Sequence, residues 1–126
     1  MGQSSLPEGI AAQHEHFSTV LHDLKHAHDS GENWHTLAAM VDQLIIDVRE
    51  HFEQEEELMA KGGYPDLSEH RGHHETFLRR LQVLRAELDR KETELISVIT
   101  ELLARWFQEH ERTADRAMLS YLNIAP

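Results

Sequence analysis

Five histidines and one carboxylate occupy helical positions where apolar side chains would be expected: His14, His51, His70, His74 and His110, with Glu55; a second carboxylate, Asp115, follows His110 closely. A single histidine on an apolar helix face is most simply a core residue with one hydrogen bond. Five of them, with a glutamate on the same stripe, carry a desolvation cost that calls for a common explanation, and a metal site supplies it. His51 with Glu55 and His70 with His74 are i, i+4 pairs, about 40° apart on a helix face and able to reach one centre. Asp115 follows His110 at i+5, about 140° away in a regular helix. A one-residue π-bulge would turn its carboxylate inward, and such bulges gather at functional sites, so one is predicted between 110 and 115. The sequence contains no cysteine, which excludes thiolate ligands, iron-sulfur clusters and disulfides. Any metal here is held by nitrogen and oxygen alone.

The elements that must position these groups read as helices throughout, because the apolar residues recur with a period near 3.6 and Gly and Pro are sparse. A first helix runs from about Glu8 or Ile10 to Asp29, with Ile10, His14, Phe17, Leu21 and Leu24 on one face, and Ser30-Gly31 ends it. Asn33 caps a second, which carries Val41, Leu44, Val48, His51, Glu55 and Leu58 to Lys61 and stops at Gly62-Gly63. Asp66 and Glu69 have the spacing of a capping box for a third, striped by His70, His74, Phe77, Leu81, Leu84 and Leu88. The polar stretch Asp89–Thr93 lacks Gly and Pro and is compatible with one long helix from 67 to 123. A break capped near Thr93 is preferred, because four helices of similar length close an up-down-up-down bundle that buries every stripe. The fourth helix then turns Ile96, Ile99, Leu103, Trp106, Phe107, His110, Ala114 and Ala117 inward. The expected architecture is all-α: a four-helix bundle forming a single domain over 1–126, with residues 1–9 as an N-terminal arm.

Depth along the helices supports convergence. At a rise of ~1.5 Å per residue, measured from the end that holds the 62–66 loop, His51 and Glu55 lie roughly 15 and 9 Å down. His70 and His74 lie roughly 4.5 and 10 Å down, His14 roughly 9 Å and His110 roughly 20 Å. All five histidines fall in one half of the bundle. The chain has 12 Lys and Arg against 23 Asp and Glu, a formal charge of −11, which argues against nucleic-acid binding. No apolar run is long enough to cross a bilayer and Met1 to Ile10 lacks the pattern of a secretory signal, so the expectation is a soluble, cytoplasmic chain without a membrane partner. No exposed apolar stripe stands out, and a monomer or weak homo-oligomer is expected.

His14, then His51-Phe52-Glu53-Gln54-Glu55, then Pro65 followed by His70-x-x-x-His74, then Trp106-x-x-x-His110-x-x-x-x-Asp115 resembles the hemerythrin family, specifically the single-domain bacteriohemerythrins. The resemblance runs from about residue 10 to 122, and seven such residues in order form a far more specific signal than any pair. It implies a non-haem di-iron centre that binds O2 reversibly. His70, His74 and His110 would hold one iron, His14 and His51 the other, and Glu55 and Asp115 would bridge them. The implied cofactor is two Fe ions, Fe2+ or Fe3+, sharing an oxo or hydroxo bridge. With both irons six-coordinate, one position stays open, on the iron with two histidines. Imidazole suits Fe, Zn and Cu, and bridging carboxylates favour hard ions, so Zn and Mn also remain compatible with the ligand set.

Reversible O2 binding requires walls that exclude water, and Leu21, Leu24, Ile45, Phe77, Leu81, Leu103, Trp106 and Phe107 are the candidates, each equally readable as ordinary core. Compared with the family, Glu111 and Arg112 stand where apolar residues usually follow the last histidine, and Phe107 replaces a smaller side chain. Near the first histidine, Ala11 or Ala12 replaces a common acid. Glu111 and Arg112 read as a solvated face. Were a bulge to turn Arg112 inward, its donors would favour oxidase, peroxidase or nitric oxide chemistry, with peroxide or NO as ligand in place of O2. Five histidines to two carboxylates favour holding O2 over activating it, since the ferritin-like di-iron enzymes are richer in carboxylates. A zinc-loaded or metal-free interaction module is the third reading. His16, His22, His26, His28, His35 and His73 read as surface groups, with His73 close enough to the site to donate to a ligand carboxylate.

Overall fold

The computed structural model describes residues 9–91 and 93–124, and among them every regular element is helical. The helices are α1 (Ile10–Asp29), α2 (Trp34–Lys61), α3 (Leu67–Arg90) and α4 (Thr93–His110). Five residues of π-helix, Glu111–Asp115, then lead straight into α5 (Arg116–Leu122), so the fourth rod of the bundle is α4, the π-turn and α5 in sequence. The arm assigned to residues 1–9 lies, but for Gly9, outside the described residues, as does the cap expected near Thr93.

Local chemistry accounts for most boundaries. Gly31, at φ 85°, turns the chain out of α1. Asn33 then caps α2 in extended conformation, its Oδ1 accepting the Thr36 N–H at 2.8 Å. Replacing Asn33 by Ala leaves that N–H without its side-chain partner and is expected to cost about 1 kcal/mol, read as a lower urea midpoint at unchanged slope.

The expected capping box at α3 does not form. Asp66, at φ −99° and ψ 20°, lacks the extended backbone from which a cap carboxylate reaches the first turn, and its side chain makes no capping bond. Its carbonyl still accepts the His70 N–H at 3.0 Å. At the other end, α3 stops at Arg90 although no glycine is present. Lys91 adopts the left-handed conformation, φ 58°, that a C-terminal stop usually reserves for Gly.

Each helix packs mainly on two neighbours: α1 on α2 and α4, α3 on α2 and α4. With short connections between consecutive helices, that closes the up-down-up-down ring. Its core is apolar and fully buried, from Phe17, Leu21 and Leu24 through Val41, Phe77 and Leu81 to Ile96, Leu103 and Phe107.

Three expectations about which residues face inward are corrected. Leu58 is 40% exposed and Met59 takes the buried place, because the α2 line continues in i+4 steps from His51 through Glu55. Ala117 is exposed and Met118 is buried, because the π-turn inserts one residue and rotates everything after it by about 100°. Finally, an exposed apolar line does exist: Leu95, Val98 and Leu102 are 46%, 53% and 55% exposed on the side of α4 turned away from Ile96 and Leu103.

Candidate metal centre

All seven side chains singled out by spacing meet at one point in the bundle, each at most 5% exposed. Glu55 and Asp115 lie between two groups of imidazoles and present one oxygen to each. On one side, Glu55 Oε2 is 2.9 Å from His51 Nε2 and 3.5 Å from His14 Nε2, and Asp115 Oδ2 is 3.0 Å from His14 Nε2. On the other, Glu55 Oε1 lies 3.1 Å from His74 Nε2 and 3.7 Å from His70 Nε2. Asp115 Oδ1 lies 3.0 Å from His70 Nε2 and 3.1 Å from His110 Nε2. The division is two imidazoles against three, with both carboxylates shared.

Asp115 reaches this position through the backbone. The π-turn at Glu111–Asp115 is the widening predicted from the i+5 misfit, and it leaves Asp115 1% exposed.

These residues fit a metal better than they fit one another. Nine buried atoms, the five Nε2 and the four carboxylate oxygens, have no aligned hydrogen-bond partner despite the short N···O separations. Such orphans are rare in a folded protein. Octahedral ligands about 2.1 Å from a cation sit about 3.0 Å from their neighbours, which is the spacing of the tightest contacts here. The ligand atoms of Glu55, His70, His74, His110 and Asp115 lie within 4.8 Å of one another, as do those of His14, His51 and Glu55.

The outer nitrogens of three histidines have partners that spacing did not reveal. His51 Nδ1–H donates to Gln13 Oε1, and His74 Nδ1–H donates to Glu56 Oε2 at 2.9 Å. His14 Nδ1 faces Glu111 Oε2 at 3.5 Å. A proton held on Nδ1 leaves Nε2 as the lone-pair donor, so these contacts set the tautomer a metal needs. Gln13, Glu56 and Glu111 each adjoin one of the seven in sequence and reach a histidine on another helix, a signal readable as a polar residue at the edge of a buried stripe. Glu111 is thus no free surface group, whereas Arg112 is 64% exposed and bonds Glu109 at 2.6 Å. The condition for an inward-turned Arg112 is not met. His73 is exposed and lies edge-on to the His110 ring at 5.7 Å; no described hydrogen bond joins it to a carboxylate of the centre.

Aromatic rings hold the imidazoles in place. Phe52 stacks flat on His74, centroids 3.7 Å apart and planes 2° off parallel, and Trp106 stacks on His110 at 4.7 Å. Phe107 meets His14 edge-on at 5.3 Å, and Phe17 meets His51 at 5.2 Å. Phe77 backs Trp106 and Phe107. Of the expected walls, Phe77, Trp106 and Phe107 therefore surround the centre, and Phe17 and Phe52 join them. Leu21, Leu24, Leu81 and Leu103 are buried two to three helical turns away, roughly 10–15 Å along their helices. Ile45 packs half-buried against the core.

Without metal, the electrostatics are those of a buried ion cluster. Burial opposes ionisation of Glu55 and Asp115, yet the surrounding imidazoles hold both carboxylates well below their usual range. Burial likewise works against a charge on His14 and His70, but Asp115 and Glu55 outweigh it and push each up to about 9. His110 goes the other way, lowered chiefly by burial.

At neutral pH, metal must therefore displace protons from His14 and His70. Loading should acidify a weakly buffered solution, and apparent affinity should rise with pH up to about 9. The metal-free protein should behave oppositely. Histidines raised above their unfolded value of 6.5 stabilise fully below that pH, and the contribution is lost as pH rises through about 9. Calorimetry of chelator-treated protein between pH 6 and 10 should show a falling Tm that metal abolishes.

A four-helix bundle whose core gathers five imidazoles around two shared carboxylates is a metal-binding bundle of nitrogen and oxygen ligands. The chain belongs to the hemerythrin family: the Hemerythrin HHE cation binding domain matches residues 6–122. It is 28% identical over 117 residues to a bacteriohemerythrin of Stenotrophomonas maltophilia, covering 91% of this chain and 76% of that one. A bacteriohemerythrin of Pseudomonas aeruginosa is 29% identical over 115 residues, covering 90% and 74%. One from Clostridium acetobutylicum is 27% identical over 78 residues, covering 58% and 60%. No solved structure matches the chain. Among the described residues no helix is long and apolar enough to cross a membrane.

Proposed function

We propose that the chain is a non-haem di-iron protein that binds O2 reversibly, for carriage, storage or sensing. The observation that carries this reading is the unequal division of imidazoles across two shared carboxylates. His70, His74 and His110 would hold one iron and His14 and His51 the other, with Glu55 and Asp115 between them. The half with fewer nitrogens keeps room for a small ligand. Two ferrous ions would supply the electrons that reversible O2 binding requires.

The protein's own part is to orient and to exclude. Gln13 and Glu56 fix the His51 and His74 rings, while Phe17, Phe52, Phe77 and Phe107, all buried, keep water and stray proton donors away. Among the described residues no hydrogen bond of Arg112 goes to the centre; its guanidinium bonds Glu109 at 2.6 Å. That favours O2 holding over oxidase, peroxidase or nitric oxide chemistry on the same residues.

The test is to express the protein with ample iron, reduce it without air, then admit air and record the spectrum. A visible charge-transfer band that vanishes on deoxygenation is the expected result. Rapid decay to a stable ferric form would assign oxidase chemistry, and zinc with no band would overturn both readings.

A further inference from the structure

Two openings at the same end of the bundle border residues of the centre, and their charges differ. The larger, about 560 Å³, touches His14 and Asp115, and its walls carry Arg112 and Arg116 beside Glu111. The smaller, about 300 Å³, lies between the turn that precedes α3 and the π-turn, and its floor is His70. Its rim is Asp66, Glu69 and His73, all exposed, with Tyr64 beside them.

Asp66 and Glu69 are the two acids spaced as a capping box that does not form. Asp66 makes no capping bond, and neither joins an ion pair among the described residues. Both are free to act on what passes. The facing wall is Thr113, Ala114 and Ala117, so the backbone widening that swings Asp115 inward also lays small side chains along the passage. Below the rim, His70 is 3% exposed, and its Nε2 is one of the buried atoms without a partner. The local field is felt by Tyr64, whose phenol is pushed up, first by burial and then by Asp66, Glu69 and Asp115.

We propose that this smaller cavity is the route by which divalent iron enters the centre, with Asp66, Glu69 and His73 gathering the ion at the rim and His70 receiving it at the floor. The inference rests on the metal-centre reading above and adds the path to it. Carboxylate oxygen and imidazole are ligands that a ferrous ion accepts in place of water. An acidic funnel raises the local cation concentration and the rate of entry, by tenfold or more at low salt. At the other opening Arg112 and Arg116 offset Glu111 and Asp115, so it lacks the net acidic pull of the smaller one and suits an uncharged ligand better than a cation. Gathering and floor residues act in sequence: an ion held by the rim stands next to the one ligand imidazole that borders this cavity, and the two shared carboxylates lie within 3.7 Å of its Nε2.

The test mixes metal-free protein with Co2+, whose visible absorption reports arrival at the centre, in a stopped-flow instrument at low and high salt. In the combined variant Asp66→Asn, Glu69→Gln, His73→Gln, uptake should slow about tenfold at low salt, with a weaker salt dependence, while the final cobalt content and spectrum match those of the unsubstituted protein. Ala117→Leu, which narrows the passage and leaves its charge alone, should slow uptake as well. An unchanged rate in both variants overturns the route. So does faster uptake in Arg112→Gln, Arg116→Gln, which would put entry at the other opening, and so does a final cobalt content that falls in step with the rate. Failure of the unsubstituted protein to take up cobalt at all would overturn the metal-centre reading and the route with it, whereas full uptake at unchanged rates overturns the route alone.

Discussion

A chain carrying Glu55→Gln should lose metal from both halves of the centre, whereas His51→Ala should lose it from one. Each Glu55 oxygen serves a different group, Oε2 lying 2.9 Å from His51 and Oε1 3.1 Å from His74, so one substitution weakens both groups together. An amide keeps the shape and forfeits the charge that cations on either side of it would need. Loss of a residue that merely orients a ligand costs 10–100-fold in metal affinity, so loss of a shared ligand is expected to exceed about 100-fold. Elemental analysis after dialysis should find well under one iron per chain in Glu55→Gln and about one in His51→Ala. Equal loss in both would mean that the two positions load only together. The metal-free protein responds too. His14 and His70 lose one of the two carboxylates that hold them protonated, so the pH at which the metal-free fold weakens should move down from about 9.

The largest effect on stability should come from Phe107. Its ring is fully buried and meets His14, Phe17 and Phe77 within 5.5 Å, so it fills the space between His14 and Phe17 of α1 and Phe77 of α3. Phe107→Ala removes a whole ring from a close-packed site and should cost about 3–5 kcal/mol, or a fall in Tm of about 10–20 °C for a chain this long. Phe107→Leu keeps most of the volume and should cost about 1–1.5 kcal/mol. The pair separates stability from exclusion. If the ring serves to keep water away from His14, the leucine variant should fold and load metal yet oxidise faster in air. A leucine variant with an unchanged oxidation rate would confine Phe107 to packing.

Much of the site was legible because an α-helix ties residue number to position in space. The spacings 51 to 55 and 70 to 74 put each pair on one face, and the misfit of 110 to 115 called for the π-turn that the structure contains. What escaped was chemistry between helices. Gln13, Glu56 and Glu111 look like surface residues on their own helices and become partners of His51, His74 and His14 only when a neighbouring helix comes alongside. The capping box failed for a related reason: Asp66 and Glu69 have the spacing, but the Tyr64-Pro65 turn gives Asp66 a backbone from which its carboxylate cannot reach the first turn. The stop at Lys91 had no glycine to announce it, and there the closing of the bundle prevails over the mild cost of a left-handed lysine.

Composition and periodicity thus determined the class of fold, the absence of thiolate chemistry, the five imidazoles and one carboxylate on apolar faces and the half of the bundle in which they lie. Each of these follows from side-chain type and from the fixed rise and turn of a helix. Tertiary structure decided the division of the imidazoles between the oxygens of Glu55 and Asp115, the tautomers set by Gln13 and Glu56, the outward turn of Arg112 and the unequal charges of the two openings. Those depend on how the helices rotate and slide against one another, which is set by the summed packing of the whole core and is not encoded in any one segment.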